Sequence, residues 1–210
     1  MAVNSNRPEY PVIVKLITLG ASVLDLGCGD GGLLSLLKKE KNISRAQGIE
    51  IDEDAIYKCV ARGLSVFHGD IDSGLAEYSD KSFDYVILNQ TFQQVKKPDE
   101  VLHEALRVGK EVIVGFPNFA HISARYQLAV RGRAPVTGSL PYEWYNTPNI
   151  HFLSIGDFIN YCHKRKIRIK KSFYFGKEKQ VRLFPNVFGL VGLFLIANGS
   201  KPEANSKLKT

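Results

Sequence analysis

Residues 23–32 read V-L-D-L-G-C-G-D-G-G, a short apolar run that breaks into glycines and is followed by Leu33, Leu34, Leu36 and Leu37. Glycines this dense free φ from its usual limits and let backbone come close to a ligand, while the leucines recur at helical spacing. A strand, a glycine turn and a helix start in that order make a βα unit, which needs a parallel partner strand to complete it. The helix N-terminus also directs unpaired N–H groups at whatever lies over the turn, so the same segment nominates a ligand site.

The rest of the chain repeats this alternation. Strands are expected at Ser22–Leu26, Ala46–Glu50, Ser65–His68, Phe83–Leu88 and Glu111–Gly115, the fourth being a near-continuous apolar run of the kind a central parallel strand carries. Helices are expected at Gly31–Glu40, at Asp52–Arg62 with Asp52 as N-cap and Gly63 as stop, and at Pro98–Arg107 with Pro98 in the first turn and Gly109 past the end. The pattern breaks at Phe116–Ile150, which is rich in Pro and aromatics and holds one expected helix, Ile122–Val130. An irregular stretch of that length in a compact domain is usually functional, and its place after a strand puts it over the strands' carboxyl ends. A helix at Ser154–Lys166 and strands near Ile167–Phe175 and Gly189–Ala197 close the pattern. The expected fold is α/β: a Rossmann-like, doubly wound, mostly parallel sheet with a segment of about residues 116–150 inserted after the fifth strand. Residues 1–200 are read as one domain, and 201–210 as a disordered basic tail.

With 210 residues and 44 % apolar content, the chain can bury a sizeable core. The longest apolar run, Val187–Ala197, contains two glycines and falls short of the ~20 residues of a membrane helix, so it reads as a buried strand. No membrane association is expected. M-A-V-N-S-N-R-P has no apolar signal core, and Cys28, Cys59 and Cys162 form neither a metal-spaced set nor a disulfide framework; both point to a cytoplasmic setting. The net charge is +7, part of it in H-K-R-K-I-R-I-K-K at 163–171. Ile167 and Ile169 alternate with Arg168 and Lys170 there, which reads as a solvated helix end and strand face rather than a nucleic-acid site.

Gly27, Gly29 and Gly32 match the dinucleotide fingerprint G-x-G-x-x-G, but the neighbouring acids argue for a different ligand. Asp25, two residues ahead of Gly27, would repel a pyrophosphate and attract an ammonium group. Glu50 closes the second strand, where a carboxylate accepts from ribose hydroxyls. Asp70, in H-G-D-I-D after the third strand, is placed to accept from an adenine amino group. These acids favour S-adenosylmethionine over a dinucleotide. Each also has a plain structural role open to it: Asp25 as a turn cap, Asp70 as a solvated loop residue, and Cys28 as a small residue that fits the turn.

V-L-D-L-G-C-G-D-G, G-I-E-I-D, H-G-D-I-D and S-F-D-Y-V-I-L-N together resemble the class I S-adenosylmethionine-dependent methyltransferase superfamily over about residues 20–115. The resemblance implies that Asp25, Gly27, Cys28 and Gly29 contact the methionyl part of S-adenosyl-L-methionine or S-adenosyl-L-homocysteine. It implies Glu50 for the ribose, with Ile51 beside it in the binding set, Asp70 and Ile71 for the adenine, and Asn89 near the sulfonium. In the second half, Q-T-F-Q-Q-V-K-K-P-D-E-V-L, G-F-P-N-F, R-G-R-A-P-V-T and L-P-Y-E-W-Y-N-T-P-N-I-H-F resemble the MetW methionine-biosynthesis family. That resemblance implies a methyltransferase-like fold linked to homoserine O-acyltransferase, and no established methyl acceptor.

Methyl transfer needs an acceptor held in line with the sulfonium and sometimes a base. His121, Tyr142, Trp144, Tyr145, Asn149 and His151 are the candidates in and beside the insertion. His151 is either a general base or a histidine packed and hydrogen-bonded ahead of the next helix. Tyr142, Trp144 and Tyr145 are either a ligand wall or the anchor of a protein interface, and Arg125, Arg131 and Arg133 nearby fit an interface or an anionic ligand. Two functions follow: a cofactor-binding protein that acts with or regulates homoserine O-acyltransferase, or an active methyltransferase on an unidentified small molecule.

Overall fold

The computed structural model describes residues 7–177 and 179–199. In chain order its elements are α1 (Tyr10–Leu16), β1 (Ser22–Leu26), α2 (Gly32–Lys41), β2 (Arg45–Glu50), α3 (Glu53–Ala61), β3 (Ser65–His68), β4 (Phe83–Asn89), α4 (Pro98–Val108), β5 (Gly109–Pro117), α5 (Ile122–Ala129), α6 (Ile155–Lys164), β6 (Ile167–Phe175), α7 (Pro185–Phe188) and β7 (Val191–Asn198). The strands form one seven-stranded sheet in the order β3-β2-β1-β4-β5-β7-β6. β1 to β5 pair in parallel, and β7 runs antiparallel to both β5 and β6. This is the mostly parallel, doubly wound sheet expected from the alternation. The order reverses between β1 and β4, and at such a switch point an α/β sheet opens a crevice beyond its carboxyl edge.

Each face of the sheet carries its own core. Tyr85 and Ile87 of β4 pack with α1, α2 and Cys59 of α3 on one face, while Val86 and Leu88 pack with α4 and α6 on the other. The two-residue pleat produces this alternation, and burial on both sides explains the unbroken apolar run of β4. On the α6 face, the Phe158 ring lies 4.8 Å from Phe194 and 5.0 Å from Phe116, centroid to centroid. The helices start where their caps dictate. Asp52 Oδ1 accepts from the Ala55 N–H at 2.8 Å, and Ser154 with Asp157 forms a reciprocal capping box on α6.

The basic stretch 163–171 resolves into the end of α6 and the edge strand β6, with Arg165 paired to Asp99 at 2.5 Å and Lys170 paired to Glu111. Cations along an exposed edge discourage pairing with another chain. Two local expectations are corrected. The apolar run Val187–Ala197 is not a strand from its start: Pro185 opens the single turn α7, the Gly189 N–H closes onto the Pro185 carbonyl at 2.8 Å, and β7 begins at Val191. An N-terminal helix, α1, has no counterpart in the expected elements; its core contribution is Val12 and Ile13. The tail read at 201–210 lies outside the described residues. Among the described residues, no helix is long and apolar enough to cross a membrane.

Candidate functional site

The crevice is a cavity of about 560 Å³ at the carboxyl ends of β1, β2 and β4. It is built first from the glycine turn. β1 ends at Leu26, and Gly27 turns the chain with φ +72°; a Cβ there would sit 2.6 Å from both Cγ2 and Oγ1 of Thr91. The Gly27 and Cys28 N–H groups donate to the Ile49 carbonyl at 2.8 and 3.2 Å, which holds the turn against the end of β2. Glycine is thus required twice at position 27, for its backbone angle and for the approach of Thr91.

Glu50 is the most restrained carboxylate of the site. Its Oε2 accepts from the Gly29 N–H at 2.7 Å, and its Oε1 accepts from the N–H groups of Ile51 and Asp52 at 2.9 and 3.1 Å. A carboxylate has about four acceptor positions, so these bonds fix its orientation and leave capacity for a ligand hydroxyl. Asp25 is 3 % exposed and lies under the turn. Burial, with the Glu50 carboxylate adding to it and Arg7 partly offsetting it, pushes its carboxyl up to about 7. A buried acid in that state gains from a cationic ligand group placed beside it.

The third wall comes from the loop after β3. Asp70 Oδ1 accepts from the Asp72 N–H at 2.9 Å, and Asp72 accepts from the N–H groups of Lys96 and Lys97, both at 2.9 Å. That pair of bonds ties the β3 loop to the loop after β4. Asn89 is the last residue of β4 rather than the first residue beyond it. Its Nδ2 donates to Glu9 Oε1 at 3.3 Å, while its Oδ1 is buried without a partner.

All nine residues nominated for the cofactor, namely Asp25, Gly27, Cys28, Gly29, Glu50, Ile51, Asp70, Ile71 and Asn89, line this one cavity. Cys28 and Cys59 have their sulfurs 3.9 Å apart, and a Cβ on Gly48 would come 2.5 Å from Cys28 Sγ. Burial and the nearby Asp25 carboxylate drive the Cys28 thiol far above the usual thiol range, so it packs the turn rather than serving as a nucleophile. Asp52 is the α3 cap and does not line the cavity.

The insertion is elsewhere. No residue of 116–150 lines the cavity. Asn118, fully buried, explains why: its Nδ2 donates to the Gly189 and Asn186 carbonyls at 2.8 and 3.2 Å, and its Oδ1 accepts from the Ile155 and Ala120 N–H groups at 3.2 Å. These bonds draw the chain leaving β5 toward α6 and α7, away from the switch point. Tyr142, Trp144 and Tyr145 stand exposed. His121 caps α5, accepting from the Ser123 N–H at 3.2 Å. His151 lines a separate apolar cavity of about 240 Å³ with Phe92, Leu153, Phe158 and Tyr161, where its Nε2 is buried without a partner. It is packed, as one reading had it, but its ring finds no hydrogen bond there through Nε2.

Sequence reasoning missed the wall formed by Arg7, Tyr10, Thr91, Gln94 and Lys96. Burial raises the Tyr10 phenol to about 12, so it stays neutral at the cavity edge. The available signal for α1 was Pro11 followed by apolar residues at helical spacing in Y-P-V-I-V-K-L.

The sheet order and the switch-point crevice define the class I S-adenosylmethionine-dependent methyltransferase fold. The chain is similar to the S-adenosylmethionine-dependent methyltransferase of Mesorhizobium loti, with TM-score 0.67 and 15 % identity over 93 % of this chain and 99 % of that one. It is also similar to one from Archaeoglobus fulgidus, with TM-score 0.62 and 19 % identity over 90 % and 93 % of the two chains. At such identities the likeness is one of fold. Residues 7–196 match the family model of the methionine biosynthesis protein MetW, and the chain belongs to that family. It is 35 % identical over 182 residues to the bifunctional methionine biosynthesis protein MetXA/MetW of Rhodopirellula baltica, covering 83 % of this chain and 29 % of that protein. The chain therefore spans under a third of that relative's length.

Proposed function

We propose that the chain binds S-adenosylmethionine or S-adenosylhomocysteine in the switch-point cavity and, in the cytoplasm, acts with or regulates homoserine O-acyltransferase in methionine biosynthesis. The observation that carries the first half is the convergence of the nine nominated residues on one cavity. The residues fit the ligand by their chemistry. The buried Asp25 carboxylate takes the methionyl ammonium. Glu50, oriented by its three N–H donors, takes ribose hydroxyls. Asp70 and Ile71 receive the adenine, and Asn89, which lines the cavity at the end of β4, lies near the sulfonium. The second half is supported by family membership and by the paired name of the Rhodopirellula relative.

Calorimetric titration with each ligand, repeated with the acyltransferase present, tests this reading. Both ligands bind the wild type, and Asp25→Ala removes binding; failure of both to bind removes the proposal. The alternative is methyl transfer to a small-molecule acceptor. It draws support from the extent of the cavity, whose lining includes Gln90, Gln94 and Lys96 beyond the nominated set. Against it, neither His151 nor Tyr142 reaches that lining. Transfer of labelled methyl to an extract component, lost in Asp25→Ala, would decide for catalysis.

A further inference from the structure

The geometry points to the outer surface of the insertion, α5 with the Arg131–Tyr145 loop and the α7 turn beside it, as the face that docks an acidic-rimmed apolar surface of a protein partner. This rests on the reading above, in which that partner is the acyltransferase. Thirteen of the nineteen exposed large apolar side chains among the described residues lie in Ile122–Phe152 or Leu183–Phe188. Apolar exposure gathered in this way marks an interaction site, whereas scattered single residues do not.

The helix α5 makes the case from its own packing. Of its eight residues only Ala124 is buried, while Ile122, Tyr126 and Leu128 are about half exposed. So short a helix owes its stability to packing of an apolar face, and this one leaves most of that face uncovered. The surface is nevertheless built rather than loose. Gln127 bonds Val136 reciprocally, Nε2 to the carbonyl at 2.8 Å and Oε1 from the N–H at 3.0 Å, which fixes the following loop alongside the helix. Trp144 and Tyr145 are 74 % and 70 % exposed and meet edge to face at 5.7 Å. Arg125 Nη2 reaches the Asn186 carbonyl at 3.5 Å, which joins α5 to the α7 turn. There Phe184 holds φ +47° and ψ +55° while 72 % exposed. A bulky residue in the left-handed region is strained, and strain of this kind gathers at functional positions.

Charge says what covers the surface. Glu143 is the only carboxylate between Phe116 and Leu153, against Arg125, Arg131 and Arg133. None of the three arginines pairs with a carboxylate among the described residues; Arg131 instead lies over the Tyr126 ring, 5.4 Å from its centroid. Exposed Trp and Tyr on the same segment as unneutralised Arg is the composition of an interface anchor, and its complement is apolar with acids around it. A second copy of this chain would bring the same arginines face to face, which disfavours self-pairing.

Sedimentation of the full chain with the purified acyltransferase tests the assignment, using Trp144→Ala and Arg131→Glu, with Tyr57→Ala on an exposed part of α3 as control. Each surface variant should weaken the complex at least tenfold. The control should not, and Tm and S-adenosylmethionine affinity should stay at wild-type values. Raising the ionic strength should weaken the wild-type complex more steeply than the Arg131→Glu complex. Surface variants that bind as tightly as wild type would overturn the surface and leave the partnership intact. No complex with wild type would remove both. Self-association lost in Trp144→Ala, or RNA binding lost in Arg131→Glu without any effect on the acyltransferase, would also overturn it.

Discussion

In the proposed reading, Asp25 serves binding at the expense of stability. Its carboxyl is raised to about 7, chiefly by burial, so the folded protein keeps a proton that the unfolded chain releases near pH 4. Stability therefore falls as pH rises from about 4 to 7 and stays reduced above that, by up to about 4 kcal/mol at 1.36 kcal/mol per unit. Asp25→Asn should raise the denaturant midpoint at pH 8 but not at pH 4, while ligand affinity is lost; an unchanged midpoint at pH 8 would show that the carboxyl is not held raised. Ligand affinity of the wild type should weaken below pH 7, as the acid takes up its proton. Gly27→Ala should cost roughly 1–2 kcal/mol for the left-handed backbone alone, plus the clash with Thr91. Because Thr91 supplies the atoms 2.6 Å away, Gly27→Ala with Thr91→Ala should recover the clash and leave the backbone cost, a non-additivity that a double-mutant cycle reads directly. Asp25, Gly27 and Glu50 were legible because chain position alone puts them at strand ends. The restraint on Glu50 was not, since its donors come from two separate turns.

At the scale of elements, period and caps were enough to locate β1 to β4 and α2 to α4 within a residue or two. Asp52, Pro98 and Gly109 punctuate them through local backbone chemistry that needs no tertiary partner. The insertion was legible as an exception but its direction was not. It was expected over the ligand crevice, and Asn118 instead ties it to α6 and α7, through groups far away in sequence. Asn118→Ala strips partners from the Gly189 carbonyl and the Ile155 N–H in a buried site, at about 2–3 kcal/mol. A chain of this size should then lose roughly 4–12 °C in Tm. Cofactor affinity, measured calorimetrically, should stay near wild type because the insertion contributes no lining residue to the cavity. A large loss of affinity would show that the insertion shapes it.

Over the whole molecule, the switch-point cavity and the insertion are separate but linked through the loop after β4. The Gln93 carbonyl, in the loop that also carries Thr91 and Gln94, accepts from the N–H groups of Ile150 and His151 at 2.9 and 3.0 Å. Ligand that orders the loop after β4 therefore acts on the start of the segment leading into α6. Affinity for the acyltransferase should change with bound S-adenosylmethionine, and cofactor affinity should change by the same factor when the acyltransferase is present. Measuring both affinities with and without the other component checks the equality; identical values in all arms would mean the two sites do not communicate.

The amino-acid sequence by itself determined the alternation of strands and helices, the glycine turn and the acids at the ends of β1, β2 and β3. All of these depend on backbone angles, side-chain period and distance along the chain. Only the tertiary structure decided that α1 and the loop after β4 close the cavity, that His151 faces a different one, and that the aromatic insertion turns outward. Those outcomes depend on hydrogen bonds such as Asn118 to Gly189 and Asn89 to Glu9, whose partners are 71 and 80 residues apart. No local pattern encodes a bond of that span.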